Sequence, residues 1–462
     1  MKIITTLILA LTVCGIAAQP DDFNFSHIDI NDGLSNNQIT CIYKDSLGFM
    51  WFGTMSGLDR FDGYGFKVFR HDIRDSSSII DNYITSIFED HMGKMWVATR
   101  NGYNIYDPNT ETFNRDPGSF LQKLNIHDES LSKSIKDDAG NYWYVSPVTG
   151  LYKYDNQSGR IINIRHNPED NSSIATDSVS DIYMDKKNNM WIIHHNGILE
   201  KMNCSSHSII YRNTYLYNQY QGEFLEYGIF VDSDKDVWIY ISNFARGIFY
   251  FNASKLDFHH FTISSPGIRL NTDIVGDVDQ DNKGFIWIGT DHGGINLIDK
   301  KDFSIRYLVH DDNDDKSISQ NSITSLFKDN MGIMWAGTFK KGINFYKEDI
   351  FKFRLLKHRT TDPNSLSYDD VNCFAEDDRG NLWIGTNGGG LLFYNRSDNS
   401  YTSYTNEPGN QNSISNDIIV SLCIDHLQNL WVGTYYGGLN CFDGKKFLRY
   451  RHDPAEKGSY SR

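Results

Sequence analysis

Basic residues are in short supply. The 462-residue chain carries 44 Lys and Arg against 59 Asp and Glu, a formal net charge of −15. A surface without a basic footprint suits neither nucleic acid nor an anionic membrane, so neither is expected as a partner. Proline is scarce, with nine residues, while glycine reaches 37, so turns must rest on Gly, Asn and Asp. Of six cysteines, Cys14 falls in the first 18 residues. The other five are odd in number and show no Cys-x-x-Cys spacing, a poor disulfide framework and a poor zinc site. Cys41 and Cys373, each ten residues before a Trp, are expected as small buried side chains on inner strands. No apolar run beyond residue 18 is long enough to span a bilayer. Residues 1–18 read as an export signal: Lys2 is the positive end, Ile3 to Val13 the apolar stretch, and Gly15, Ala17 and Ala18 the small residues for cleavage. The remainder is expected to be exported, with no membrane anchor in this chain. No nucleophile motif accompanies the scattered histidines, and no cofactor is expected.

What the chain has is a repeat. Its nine tryptophans are Trp51, Trp96, Trp143, Trp191, Trp238, Trp287, Trp335, Trp383 and Trp431, spaced 45 to 49 residues apart. An Asp stands six residues before each, from Asp45 to Asp425. A period in the forties, rich in strand and turn residues, predicts propeller blades of four strands. In the unit around Trp335, Ile323 to Phe327 predicts an inner strand and Asp329 to Gly332 a reverse turn. Trp335 then lies on a second strand closed by Gly337-Thr338, Ile343 to Tyr346 forms a third, and Phe351 to Leu355 an outer one. The turn Gly is replaced by Asn188, Lys235 and Gln428 in three units, whose turns are expected to be less regular.

Nine blades exceed the usual ring. Phe23 to Ile30 reads as an outer strand that precedes the first inner strand, so it can complete a seventh blade. The expectation is an all-β protein: one complete seven-bladed β-propeller over 19–347, then two blades of an incomplete second propeller over 348–462. The final residues, 451–462, read as the linker to a further blade.

The stretch 32–66, with "WIGTNGGGLLFY" at 383–394 and "WVGTYYGGLNCF" at 431–442, resembles the two-component regulator propellers. These form the periplasmic sensor half of hybrid two-component systems in Bacteroides-type bacteria. The resemblance covers nearly the whole chain after residue 18. It implies a periplasmic sensor of oligosaccharides that controls genes for using a glycan, through kinase domains this sequence does not contain. It therefore implies no enzymatic activity in this chain. The expected partner is an oligosaccharide; whether the sensor also forms a homodimer stays open. Two alternatives remain: an exported propeller enzyme of lyase or dehydrogenase type, and a protein-interaction propeller.

In such a blade the linkers from outer to inner strands and the loops from second to third strands emerge on one face. Strand ends crowd the axis there, giving a concave place for a ligand. The second-to-third-strand loops vary most. They offer Arg100, His194, His195, Asn243, Phe244, Arg246, Asp291, His292, Lys340 and Tyr435 as candidate ligand-binding residues. Aromatic faces for C–H surfaces and planar polar groups for hydroxyls suit a sugar, although variable loops are more often merely solvated. The runs Asp232–Asp236 and 277–284 imitate calcium loops but lack the EF-hand Gly and Glu, so no metal is expected.

Overall fold

A computed structural model describes residues 23–452, apart from 124–125, 127–130, 186–187, 243, 349–355, 357 and 359–364. The export signal expected at 1–18, the outer strand expected at Phe351–Leu355 and residues 453–462 lie outside the described residues.

The Asp–Trp pair is one device, and the turn explains only half of it. In the first unit, Asp45 Oδ1 accepts the backbone N–H groups of Leu47 and Phe49 and so shapes the turn. Its Oδ2 accepts the Trp51 indole N–H at 2.7 Å. The same indole bond ties Trp96 to Asp90, Trp143 to Asp137, Trp238 to Asp232, Trp287 to Asp281 and Trp431 to Asp425, at 2.8–3.0 Å. A buried ring is thereby placed without leaving its polar end unpaired. Trp191 and Trp335 lack this bond; there Lys201 pairs with Asp185 and Lys44 with Asp329.

At Asn188, Lys235 and Gln428 the backbone keeps the glycine conformation, so the expected irregularity is absent at Lys235 and Gln428; residues 186–187 of the Asn188 turn lie outside the described residues. Their φ values of 59°, 74° and 65° match the left-handed glycines of the other turns, such as Gly93 at 70°. The Asp carboxylate anchors the turn whichever residue follows, so the non-glycine residues accept the strain of that conformation.

Hairpins built this way give, among the described residues, nine four-stranded antiparallel sheets, one per tryptophan. Among the described residues, the short helices Gly118–Lys123 and Tyr215–Gln219 lie in linkers. The chain divides into two compact units, the first with seven of the sheets and the second with the Trp383 and Trp431 sheets. In the first unit the inner strands neighbour one another in cyclic order: Ile39–Lys44, Ile84–Glu89, Lys133–Lys136, Val179–Met184, Tyr227–Val231, Val275–Gln280, Ile323–Lys328, and back to Ile39–Lys44. Where a Gly stands two residues after the Trp, it explains the contact. A Cβ on Gly53 would strike Ile84 of the following sheet, and one on Gly289 would strike Ile323. On Gly337 it would strike Ile39 of the first sheet. The strand Ser26–Ile28 pairs antiparallel with Ile343–Tyr346, so the outermost strand of the Trp335 sheet comes from the start of the chain. The core lies between sheets: Trp51 packs with Ile84, Ile87 and Val97 of the next sheet, and Trp287 with Ile323, Leu326 and Phe25.

Cys41 and Cys373 sit on inner strands opposite Gly53 and Gly385, half-buried rather than fully buried. All five cysteines among the described residues are free thiols.

Candidate ligand-binding face

Two recurring bonds build the face on which strands begin. The Thr after the Gly turns its hydroxyl back to close the loop to the third strand: Thr54 to Gly57 O, Thr290 to Gly294 O, Thr338 to Gly342 O, at 2.8–2.9 Å. A buried Asn on the third strand accepts a linker N–H: Ile80 to Asn104, Asn271 to Asn296, Ser319 to Asn344. The linkers are latched across themselves, His71 Nδ1 to Ile79 O, His166 to Ile174 O and His310 to Ile318 O, each at 2.8 Å. Loops held this way can present side chains at fixed positions.

They surround a cavity of about 1200 Å³ at the starts of the inner strands. Five of the seven sheets of the first unit line it: those of Trp51, Trp96, Trp238, Trp287 and Trp335. Asp291, His292 and Lys340 of the expected set lie in its wall, with Tyr83, Glu226 and Gln320. His292 is 83% exposed, with Nδ1 3.0 Å from Asp291 Oδ1. Lys340 is held by its own N–H to Gln320 Oε1 at 2.8 Å. Arg100 stacks at 3.8 Å over the Tyr83 ring. The wall thus offers a carboxylate, an imidazole, an ammonium, an amide and an aromatic ring.

The remaining candidates are elsewhere. His194 is fully buried in the Trp191 sheet, with Nε2 on Glu200 at 2.8 Å and Nδ1 on Thr176 at 3.0 Å. It serves Glu200, which occupies the buried Asn position of other sheets and takes the Ala175 N–H. Burial opposes ionisation of Glu200, but His194, Ala175 N–H and Arg212 outweigh it and hold its carboxyl below the ordinary value. His195 is buried against Phe224 and bonds Leu225 O. Phe244 and Arg246 line or flank a smaller pocket beside the axial one. Tyr435 packs on Tyr436 in the second unit. Asn243 lies outside the described residues. Sequence reasoning missed Tyr83, Glu226 and Gln320, because linker ends carry no motif; the available signal was their place just before an inner strand.

The other end of the axis holds a cavity of about 620 Å³ with Asp181, Asp277, Asp279, Lys133 and Tyr240 in its wall. These carboxylates stitch neighbouring strands. Asp181 accepts from Ile229 N–H, Asp277 from Leu326 N–H and Asp279 from Lys328 N–H. Burial pushes Asp277 up to about 6 against the amide bonds of Leu326 and Val278. The calcium-like run Asp232–Asp236 is filled by a lysine: Lys300 Nζ lies 2.6, 3.0 and 2.9 Å from Asp232, Asp234 and Asp236. Among the described residues no cluster could hold a metal ion, and no helix is long and apolar enough to cross a membrane.

Comparison with known proteins agrees with this repeat architecture. The family described as two component regulator propeller matches residues 33–56, 78–101, 317–340, 365–388 and 413–436. Histidine kinase P4 of Formosa agariphila is 34% identical over 77 residues, 17% of this chain and 6% of that protein. Two solved extracellular domains of hybrid two-component systems from B. thetaiotaomicron share the fold. One is 23% identical over 94% of this chain, with a TM-score of 0.67, and the other 20% identical over 93%, with a TM-score of 0.51. This chain spans about half of them, 55% and 54% of their lengths. Five segments of the chain thus match two-component regulator propeller repeats, and its fold is that of the extracellular propeller domains.

Proposed function

We propose that this chain is the ligand-sensing part of a periplasmic receptor of a two-component system, and that its ligand is an oligosaccharide. Residues 19–347 are read as a complete seven-bladed ring and 348–462 as the first two blades of a second. The observation that carries the sensing role is the axial cavity, whose polar and aromatic wall is supplied by loops that differ between otherwise equivalent blades. In a repeat array the conserved positions make the fold, so chemistry placed in the variable loops is free to serve recognition. At about 1200 Å³ the cavity exceeds the usual size of small-ligand sites and is large enough for several sugar rings. His292, Asp291 and Lys340 would bind hydroxyls, and Tyr83 with Arg100 would offer a flat face. Bound ligand would tie five sheets together, and that stiffening is the signal passed to kinase domains carried elsewhere in the receptor.

Calorimetry of residues 19–462 against plant, host and microbial oligosaccharides tests this reading. Saturable heat with one glycan class is expected, weakened about tenfold or more in His292→Ala or Lys340→Ala. Heat unchanged by both substitutions would move the site off the axis. No heat with any glycan would remove the oligosaccharide.

A further inference from the structure

The Trp238 sheet departs from the repeat at three places. The linkers on either side of it, 214–226 and 262–274, lack the latch that joins His71 to Ile79, His166 to Ile174, His310 to Ile318 and His358 to Leu366. Its loop between second and third strands runs 242–247, against 55–57, 100–101 or 291–293 in other sheets. Nothing in the sheet requires these changes, since Val237–Ile241 and Ile248–Asn252 keep the usual pairing.

All three departures meet at one pocket of about 420 Å³, within the range of small-molecule sites. Gln219, Tyr220 and Glu223 come from the first linker, Arg246 from the loop, and His260 and Thr262 from the far side. Ala245 of the same loop pairs with Ile274, which lines the axial cavity, so one loop separates the two hollows. The Arg246 guanidinium lies over the Tyr220 ring at 5.2 Å. Its backbone is fixed by a 2.6 Å bond from His260 Nε2 to Arg246 O, and His260 is itself stacked on Phe249. Yet the guanidinium N–H groups make no hydrogen bond among the described residues; Glu223 Oε2 forms a loose ion pair with it at 3.7 Å, and both side chains are near half exposed. Phe224, Phe244 and Ile263, each next in sequence to a lining residue, are exposed.

A guanidinium oriented by an aromatic ring, with its donors unspent, is arranged for two-point pairing with a planar anion. The Gln219 amide and Thr262 hydroxyl in the same lining suit ring hydroxyls. We infer that this pocket is a second binding site, for a single sugar-acid ring whose carboxylate pairs with Arg246. Gln219 and Thr262 take its hydroxyls. Glu223, a competing carboxylate, turns to solvent when the anion enters. The sugar part rests on the oligosaccharide reading above; the anion part does not.

Calorimetry with glucuronate and galacturonate, and with glucose and galactose as neutral controls, tests the assignment. Uronate binding is expected to weaken about tenfold or more in Arg246→Met and to strengthen about threefold in Glu223→Gln. His292→Ala should leave it unchanged, which separates this site from the axial one. Absent uronate binding, equal binding of the neutral sugars, or indifference to Arg246→Met overturns it. Weakening in Glu223→Gln also overturns it, and that variant decides the matter should Arg246→Met fail to fold. Oligosaccharide heat that is lost in His292→Ala, with no uronate binding, would sink this pocket alone.

Discussion

Asp59 shows how a single position departs from its own repeat. Four equivalent residues, Asn104, Asn296, Asn344 and Asn440, carry an amide that accepts a linker N–H. Asp59 does the same for Ser35, but as a fully buried carboxylate. Burial pushes it up to about 6, against the hydrogen bonds from Ser35 and the charge of Arg70. Its folded value lies above the unfolded one, so its contribution is full below about pH 4 and is lost as pH rises through 6. Asp59→Asn should remove that loss. Between pH 4 and 8 the variant is expected to gain ~1–3 kcal/mol relative to the parent, read by thermal unfolding. Asn104 and Asn440 already show where the new amide N–H would go, the carbonyls of Val97 and Val432 on the second strand. Lys300 is the opposite case. Burial works against its charge, but three carboxylates outweigh this and hold it above the ordinary lysine value. Lys300→Met leaves Asp232, Asp234 and Asp236 facing one another without a cation. Stability should fall by roughly 3–5 kcal/mol, read by thermal unfolding. At Lys235, a positive φ is held by a side chain that gains nothing from it. Lys235→Gly is expected to stabilise by ~0.5–1 kcal/mol in the same assay.

At the scale of the element, the hairpins were legible because two residue types and their spacing determine them. Asp and Trp six apart mark the turn and the second strand in all nine sheets, and the extended run before each Asp is the inner strand. The indole–carboxylate bond was not read, although the constant spacing contained it; a turn requires Asp but does not require Trp at a fixed distance. The loops were less legible. His194 looked like a loop residue, yet its partner Glu200 lies on the following strand, and only the hairpin register brings them together. The pairing of Ser26–Ile28 with Ile343–Tyr346 makes a direct prediction. Without residues 23–30, Ile343–Tyr346 becomes an open edge. A chain lacking them should unfold at least ~5–10 °C lower and self-associate, measured by calorimetry and light scattering. Unchanged unfolding would mean that this strand is an accessory to the Trp335 sheet.

Across the whole molecule, one position sets the Trp383 sheet apart. Three residues before the turn Asp, six of the seven sheets of the first unit have Ile42, Ile87, Ile182, Ile229, Val278 and Leu326, all at most 8% exposed, and the seventh has the partly buried Ser134. Phe374 holds that position in the Trp383 sheet and is 73% exposed. Ile182→Ser should therefore cost roughly 2–5 kcal/mol, whereas Phe374→Ser should change stability by less than ~0.5 kcal/mol. A large cost at Phe374 in thermal unfolding would show that its face is covered in solution. The central claim concerns the axis of the first unit, where loops from five sheets converge on a cavity that the repeat itself does not demand. The most direct test is a crystal structure of residues 19–462 grown with a saturating oligosaccharide selected by the calorimetric screen. The account predicts sugar density between His292, Asp291, Lys340 and Tyr83. Density placed on the far end of the axis, or on the outer strands, would contradict it.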